Sequence, residues 1–280
     1  MRSESRCESG AAAPPCALTG VGMGPGDAEL VTLQAIRVLR AADRVFAPST
    51  AVDAVGRAES ILRQVCPEVT VERLAFEMTA GEARHIALAA AADRVCESLD
   101  ADEDVAFVTL GDPNVYSTFP ALAAAVRERR PGTLVRTVPG ITAFQALAAR
   151  SGTVLLAGTE RLSLLTALDG PESLDAVVDD PRAAVVVYKG GRHLPAVAKR
   201  LADAGRLDRA VAGELLGLPG ERVLPAADMA EGPASYLVTV IVPPAEREGS
   251  RPAAGLGPRR SEEGGDGAPP GAAKPPGAEP

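Results

Sequence analysis

A chain of 280 residues is long enough for one large domain or two ordinary ones, and 46% hydrophobic with 24% charged residues is a globular balance. A formal net charge of -8 gives no general attraction to nucleic acid or anionic membrane, although a local basic cleft is compatible with it, and 3% aromatic residues with no Trp count against a base-stacking surface. No apolar run reaches bilayer length, and Pro14 and Pro15 cut the Ala11–Ala13 run before a signal-type segment forms, so a cytoplasmic protein is expected.

Residues 1–16 read as a disordered leader. Ala17–Val21 is the first predicted strand, followed by the glycines of GVGMGPGD at 20–27. Thr32 caps a helix carrying Leu33, Ile36 and Leu39 on one face, and Arg44–Ala47 is a strand stopped by Pro48. Ile61–Val65 and Thr70–Leu74 are weaker elements. Thr79 with Glu82 forms a capping box for a long Ala-rich helix ending near Leu99, with Ile86, Ala90 and Val95 turned inward.

Val105–Leu110 is a continuous apolar run of the kind buried in a parallel sheet, and it feeds into Gly111-Asp112-Pro113. Ser117 or Thr118 caps the next helix, which Pro131-Gly132 ends. Leu134–Val138 is a strand leading to Pro139-Gly140, and Thr142 opens a helix to Arg150. Three strand-to-helix turns in one α/β unit converge on the carboxyl edge of the sheet, where open α/β folds place ligands. Beyond Gly152, Leu162–Leu165, Ala183–Tyr188, Ala210–Leu216 and Tyr236–Val242 read as strands of a mixed sheet, with helical stretches around Leu174–Val178 and Leu194–Ala204. The expected organisation is an N-terminal α/β domain over 17–150, a C-terminal α/β domain over 151–244, and a disordered Gly/Pro-rich tail over 245–280.

The glycine loop misses two nucleotide-binding patterns. The G-x-G-x-x-G register fails because Pro25 follows Gly20 by five and Asp27 follows Gly22 by five, and Asp43 precedes its strand rather than closing it. A P-loop is excluded by the missing Gly-Lys-Ser/Thr. A plain turn without ligand accounts for this stretch as well as a binding loop does. Cys7, Cys16, Cys66 and Cys96 share no C-x-x-C spacing, and only His85 and His193 could add ligands, so free thiols and no metal site are expected.

GVGMGPGD at 20–27, GDPNVYSTF at 111–119, VPGITAF at 138–144 and YKGGRHLP at 188–195 occur in this order, and with them the chain resembles the tetrapyrrole (corrin/porphyrin) methylase family. Ala28 departs from the pattern, where the family commonly has Pro. The YSTF continuation, FEMT at 76–79 and GTERLSLL at 158–165 resemble its precorrin-2 C20-methylating branch. The resemblance implies two α/β domains with an active-site cleft between them, S-adenosylmethionine as methyl donor, a tetrapyrrole substrate and a homodimer. Carried over by motif position, it places Pro25, Leu110, Gly111, Asp112, Val115, Thr142, Ala143, Lys189 and Gly213 against the cofactor. Substrate carboxylates call for cations, and Lys189, Arg192 and His193 are the candidates; a solvated loop explains them equally. Asp27 is a candidate for removing the substrate proton, although a helix cap accounts for it better. Other acceptors, among them another ring position, cobalt-factor II or uroporphyrinogen III, fit the same fold, as does non-catalytic cofactor binding.

Overall fold

The computed structural model describes residues 16–50, 54–76 and 81–245. The leader before Cys16, the tail after Ala245 and the Thr79 cap lie outside the described residues.

β1 (Ala17–Gly22), β2 (Arg44–Ser49), β3 (Val71–Ala75), β4 (Val105–Thr109) and β5 (Leu134–Val138) form one parallel sheet in the order β3-β2-β4-β1-β5. β4 is buried at every position, as a central parallel strand must be with helices on both faces. Its alternation splits the core. Val105 and Phe107 join Leu18 and Phe46 under α3 (Glu82–Asp100) and α4 (Phe119–Arg129). Ala106 and Val108 join Val21 and Val45 under α1 (Leu33–Ala41) and α2 (Arg57–Val65) on the other face.

Several local expectations change. Thr32 does cap α1, its Oγ1 accepting from the Ala35 amide at 3.1 Å. The buried face of α1, however, is Ala35 and Leu39, and Leu33 is exposed. In α3, Val95 is buried as expected, whereas Ile86 and Ala90 face solvent and Ala91, Ala92 and Leu99 are inside. Pro48 does not stop β2. It lies past the stretch paired with β4, Arg44 to Phe46, where only β3 is alongside and a missing amide is tolerated. Ile61–Val65 is the second half of α2, whose inward positions Ala58, Ile61 and Leu62 mark its helical period. Asp43 is structural, its Oδ2 accepting from the Asp104 amide at 2.9 Å.

The second sheet is mixed, in the order β6-β7-β10-β8-β9. β6 (Arg161–Thr166) and β7 (Ala183–Tyr188) are parallel, while β8 (Val211–Glu214), β9 (Arg222–Pro225) and β10 (Thr239–Val242) pair antiparallel. The strand expected over Ala210–Leu216 is shorter because Leu215 takes φ +51, which ends the extended run. β10 likewise begins at Thr239 rather than Tyr236. The strand β9 and the short helix α7 (Ala226–Ala230), four and five residues long, are too short to show a hydrophobic period.

α6 (Leu194–Asp203) and α7 cover one face of this sheet, with Val185, Val187, Val197 and Leu201 in the core. The other face takes α5 (Ala143–Ser151), whose Ala146 and Leu147 pack with Val186, Tyr188 and Ile241. The expected N-terminal domain over 17–150 takes in this helix, and its buried side packs on the second sheet. The chain therefore passes from one sheet to the other at the Pro139–Thr142 turn, beside the ligand edge of the first. No helix among the described residues is long and apolar enough to cross a membrane.

Candidate functional site

β4, β1 and β5 are neighbours, so the loops that leave their carboxyl ends must meet. The glycine loop and the GDP loop pair through Gly24 and Gly111: the Gly111 amide donates to the Gly24 carbonyl at 2.7 Å, and the Gly24 amide donates back at 3.3 Å. Asp112 ties the second loop to the third, its Oδ2 accepting from the Gly140 amide at 3.0 Å while Oδ1 accepts from the Asn114 amide at 2.8 Å. Gly140 has no room for a side chain. A Cβ there would overlap the Gly111 carbonyl oxygen and lie 2.9 Å from Gly22. Thr142 then starts α5, where the Gln145 Oε1 accepts from both the Thr142 amide at 2.9 Å and its hydroxyl at 2.8 Å.

A cleft of about 600 Å³ opens above this edge and is closed on its far side by the second sheet. Such a volume suits a small-molecule site, roughly 300–1,000 Å³ being usual. Pro25, Leu110, Gly111, Val115 and Ala143 give it an apolar wall from the first half and the start of α5. Leu215, Leu216 and Leu218 come from the turn after β8, and Val238 precedes β10. All three tyrosines of the chain, Tyr116, Tyr188 and Tyr236, line it.

The Tyr188 hydroxyl accepts from the Phe144 amide at 3.2 Å, satisfying one of the open donors at the start of α5, and burial pushes its phenol above the ordinary tyrosine value. Tyr116 packs edge-on against Tyr188 with ring centres 6.0 Å apart, and its hydroxyl donates to the Leu164 carbonyl at 3.1 Å, bridging the two halves.

Lys189 follows β7 with φ +56, and this left-handed turn aims its side chain across the cleft. Its Nζ donates to the Tyr116 carbonyl at 3.1 Å and lies 6.0 Å from the centre of the Tyr236 ring. Burial, with the Arg84 charge added, holds the ammonium below the ordinary lysine value. Arg57 is the other cation on the lining, and Asp112 is the one carboxylate among the described lining residues, already committed to two amides. Among its described lining residues, the cleft of this acidic chain carries more cations than free carboxylates.

Residues 17–230 match the family model described as Tetrapyrrole (Corrin/Porphyrin) Methylases. The chain belongs to this family. Among tetrapyrrole methylases, it is 36% identical over 261 residues to the cobalamin biosynthesis protein CobIJ of Mycobacterium tuberculosis, a match covering 88% of this chain and 50% of that one. It is 31% identical over 239 residues to the precorrin-2 C(20)-methyltransferase of a Sinorhizobium species, covering 81% and 94%. The chain spans about half the length of the mycobacterial relatives it matches. Its fold is that of solved structures such as the CobF-related protein of Corynebacterium diphtheriae, with TM-score 0.63, 20% identity and coverage of 83% and 100%. The uroporphyrin-III C-methyltransferase of Thermus thermophilus has TM-score 0.57 and 25% identity, covering 83% and 94%.

Tetrapyrrole methylases use S-adenosylmethionine as methyl donor, and the residues at this edge fit it. The cofactor has no phosphate, and no phosphate-cradling lysine stands in the glycine loop. Gly111 takes φ +72 with open space where a Cβ would project, so its backbone is bare toward the cleft. The apolar wall suits an adenosine, and no unpaired cation lies on the glycine loop to repel a sulfonium.

Of the residues carried over by motif, Pro25, Leu110, Gly111, Asp112, Val115, Thr142, Ala143 and Lys189 all line the cleft. Gly213 does not. It is buried beneath, where a Cβ would come 2.6 Å from Leu147, so its smallness lets α5 lie on β8. Arg192 is exposed and His193 half-buried in the 3-10 turn after Lys189, and neither is on the lining. Asp27 caps the 3-10 turn Ala28–Leu30, its Oδ1 accepting from the Glu29 amide at 3.0 Å, and sits 3.6 Å from the Arg150 guanidinium. That is the cap role. Sequence reasoning missed Tyr116, Tyr188, Arg57 and the segment Tyr236–Thr239 as lining. Three tyrosines in a chain so poor in aromatics were the available signal.

Proposed function

We propose that this chain is an S-adenosylmethionine-dependent C-methyltransferase that methylates precorrin-2 at C20 in corrin biosynthesis. The observation that carries the reading is the single cleft in which the three motif loops meet Lys189 and Arg57, with no free carboxylate among its described lining residues. A donor site on one side and cations for an acidic acceptor on the other is the arrangement such a transfer needs. The sequence likeness to the Sinorhizobium enzyme, which runs over 94% of that protein, favours C20 among ring positions.

S-adenosylmethionine supplies an electrophilic methyl carbon on a sulfonium; transfer forms one carbon–carbon bond, breaks the S–CH3 bond and releases a proton from the acceptor. The chain's own part is placement. Asp112 locks the GDP loop to Gly140, Tyr116 and Tyr188 hold the halves together over the cleft, and the leucines at 215, 216 and 218 exclude water. Fixing two reactants this way is worth up to about 7–11 kcal/mol in favourable cases. Lys189 serves a carboxylate, since a second cation held against a sulfonium would be unfavourable.

A second acceptor, the cobalt-bearing counterpart, is favoured by the 30% identity to the cobalt-precorrin-2 C(20)-methyltransferase of Salmonella typhimurium. We further take the chain to work as a homodimer, because Val154, Leu156 and Leu162 expose an apolar strip on and before the edge strand β6. Cys66 and Cys96, which form no disulfide among the described residues, suit the reducing cytoplasm as its place of work. Incubation with precorrin-2 or cobalt-factor II and methyl-13C donor, followed by NMR, tests the assignment. A new label at C20 is expected; label at another carbon, or none, would overturn it. Light scattering at micromolar concentration reads the dimer.

A further inference from the structure

The cleft extends beyond the part that the cofactor motifs occupy. Along the carboxyl edge the strand ends run β3, β2, β4, β1, β5, and the motif loops sit over the last three. Register places Ser49 and Thr50 at the same level as Leu110 and as Met23, one strand and two strands away. Adjacent strands are about 4.8 Å apart, so the end of β2 lies about 10 Å along the edge from the glycine loop. Ser49, Phe76 and Arg57 line this second part.

Arg57 is exposed at the cleft, and its backbone is held there by its neighbours. Gly56, just before it, lies so close to the Pro48 carbonyl that a Cβ would overlap the oxygen, which fixes the first turn of α2 against the end of β2. Ala58 and Glu59 are buried behind it. The Glu59 carboxylate is already taken, by Arg73 at 2.7 Å and Arg63 at 2.6 Å. No carboxylate among the described residues pairs with Arg57. A cation in the first helical turn also opposes the helix dipole, so α2 gains nothing in stability from it. The combination of a guanidinium, amides of a helix start and a cavity wall is suited to one class of group, a carboxylate on the bound acceptor.

We propose that Arg57 is a specificity-determining residue that grips a peripheral carboxylate of the acceptor at the β2 end of the cleft, on the half of the molecule away from Lys189. This rests on the methyltransferase reading above. It also moves acceptor recognition from the Arg192–His193 turn, which is off the lining, to the β2–α2 connection.

The test compares full-length protein with Arg57→Gln and Arg57→Lys, using precorrin-2 as acceptor. Arg57→Gln should raise KM for precorrin-2 about tenfold to a hundredfold, the loss of one charge-assisted bond. Its KM for S-adenosylmethionine and its calorimetric affinity for S-adenosylhomocysteine should stay within about twofold, and its Tm should not move, because the side chain is exposed and has no carboxylate partner among the described residues. Arg57→Lys should recover part of the loss, and the salt dependence of KM should be shallower in Arg57→Gln. An unchanged acceptor KM in an active variant, or an equal rise in both KM values, overturns this inference and leaves the methyltransferase reading standing. Failure of the parent protein to methylate any corrin precursor removes both.

Discussion

Gly140→Ala is the sharpest probe of the site, because three loops depend on one missing Cβ. The new methyl would overlap the Gly111 carbonyl oxygen and press on Gly22 at 2.9 Å, so the second and third loops must separate by about an ångström to restore ordinary contact. That movement pulls Gly111 from Gly24, where amides donate at 2.7 and 3.3 Å, and Asp112 from the Gly140 amide at 3.0 Å. Three hydrogen bonds at about 0.5–1.5 kcal/mol each, with about 1–3 kcal/mol of overpacking, give a loss of about 2.5–7.5 kcal/mol. A domain stable by about 5–15 kcal/mol would survive it weakened. Urea unfolding reads the stability, and calorimetry with S-adenosylhomocysteine should show binding at least tenfold weaker. Gly132→Ala is the control, since nothing lies within 4 Å of its added Cβ; it should stay within about 0.5 kcal/mol. If the two variants matched in stability and affinity, the loops would not meet as described.

The remaining predictions concern charges and one hydroxyl. Glu59 is held below the ordinary carboxylate value by its hydrogen bond to Arg73 first, against the opposing effect of burial, with Arg63 adding to the pull. Its contribution is therefore full above the ordinary value of 4.5 and is lost as pH falls through the depressed one. Glu59→Gln should cost about 2–3 kcal/mol at pH 7 and flatten the acid limb of stability against pH; an unchanged limb would refute this. Lys189 has a depressed value instead, so the unfolded chain binds the extra proton and stability rises with pH up to the ordinary lysine value of 10.5. Lys189→Met should remove that slope, be at least as stable at pH 7, and lose tenfold or more in acceptor kcat/KM. A variant with the slope intact would show the ammonium to be freely solvated. Tyr188→Phe leaves the Phe144 amide unpaired and should cost about 1–2 kcal/mol by urea titration, a neutral result placing water there instead.

How far the site was legible in advance follows from what each residue does locally. The turns at Gly24, Gly111 and Gly140 were readable because backbone turns demand particular residues wherever they occur, and β4 was readable because four of its five buried positions, Val105 to Val108, are consecutive apolar residues. The inward faces of α1 and α3 were misjudged because alanine fills them. Ala35, Ala91 and Ala92 are buried but weigh little in a hydrophobic pattern, whereas Leu33 and Ile86 weigh heavily and are exposed. Neither β9 nor α7 carries a repeating pattern at all, and both are held by tertiary packing.

The cations show the same boundary between local and global information. Lys189, Arg192 and His193 are adjacent in the chain and looked like one cluster, but the left-handed turn at Lys189 sends it into the cleft while the next residues wind into a 3-10 turn facing away. Arg57 lies 132 positions earlier, inside a segment with no motif, and reaches the same cavity because β2 is only one strand from β4 and Gly56 folds the chain back onto its end. Strand order is a property of the folded sheet, so no inspection of residues 54–58 alone could have placed that guanidinium beside the GDP loop. The lining residues that the motifs mark sit in turns, which a sequence reports. Arg57 joins the lining through which strand ends become neighbours, and that is visible only in the fold.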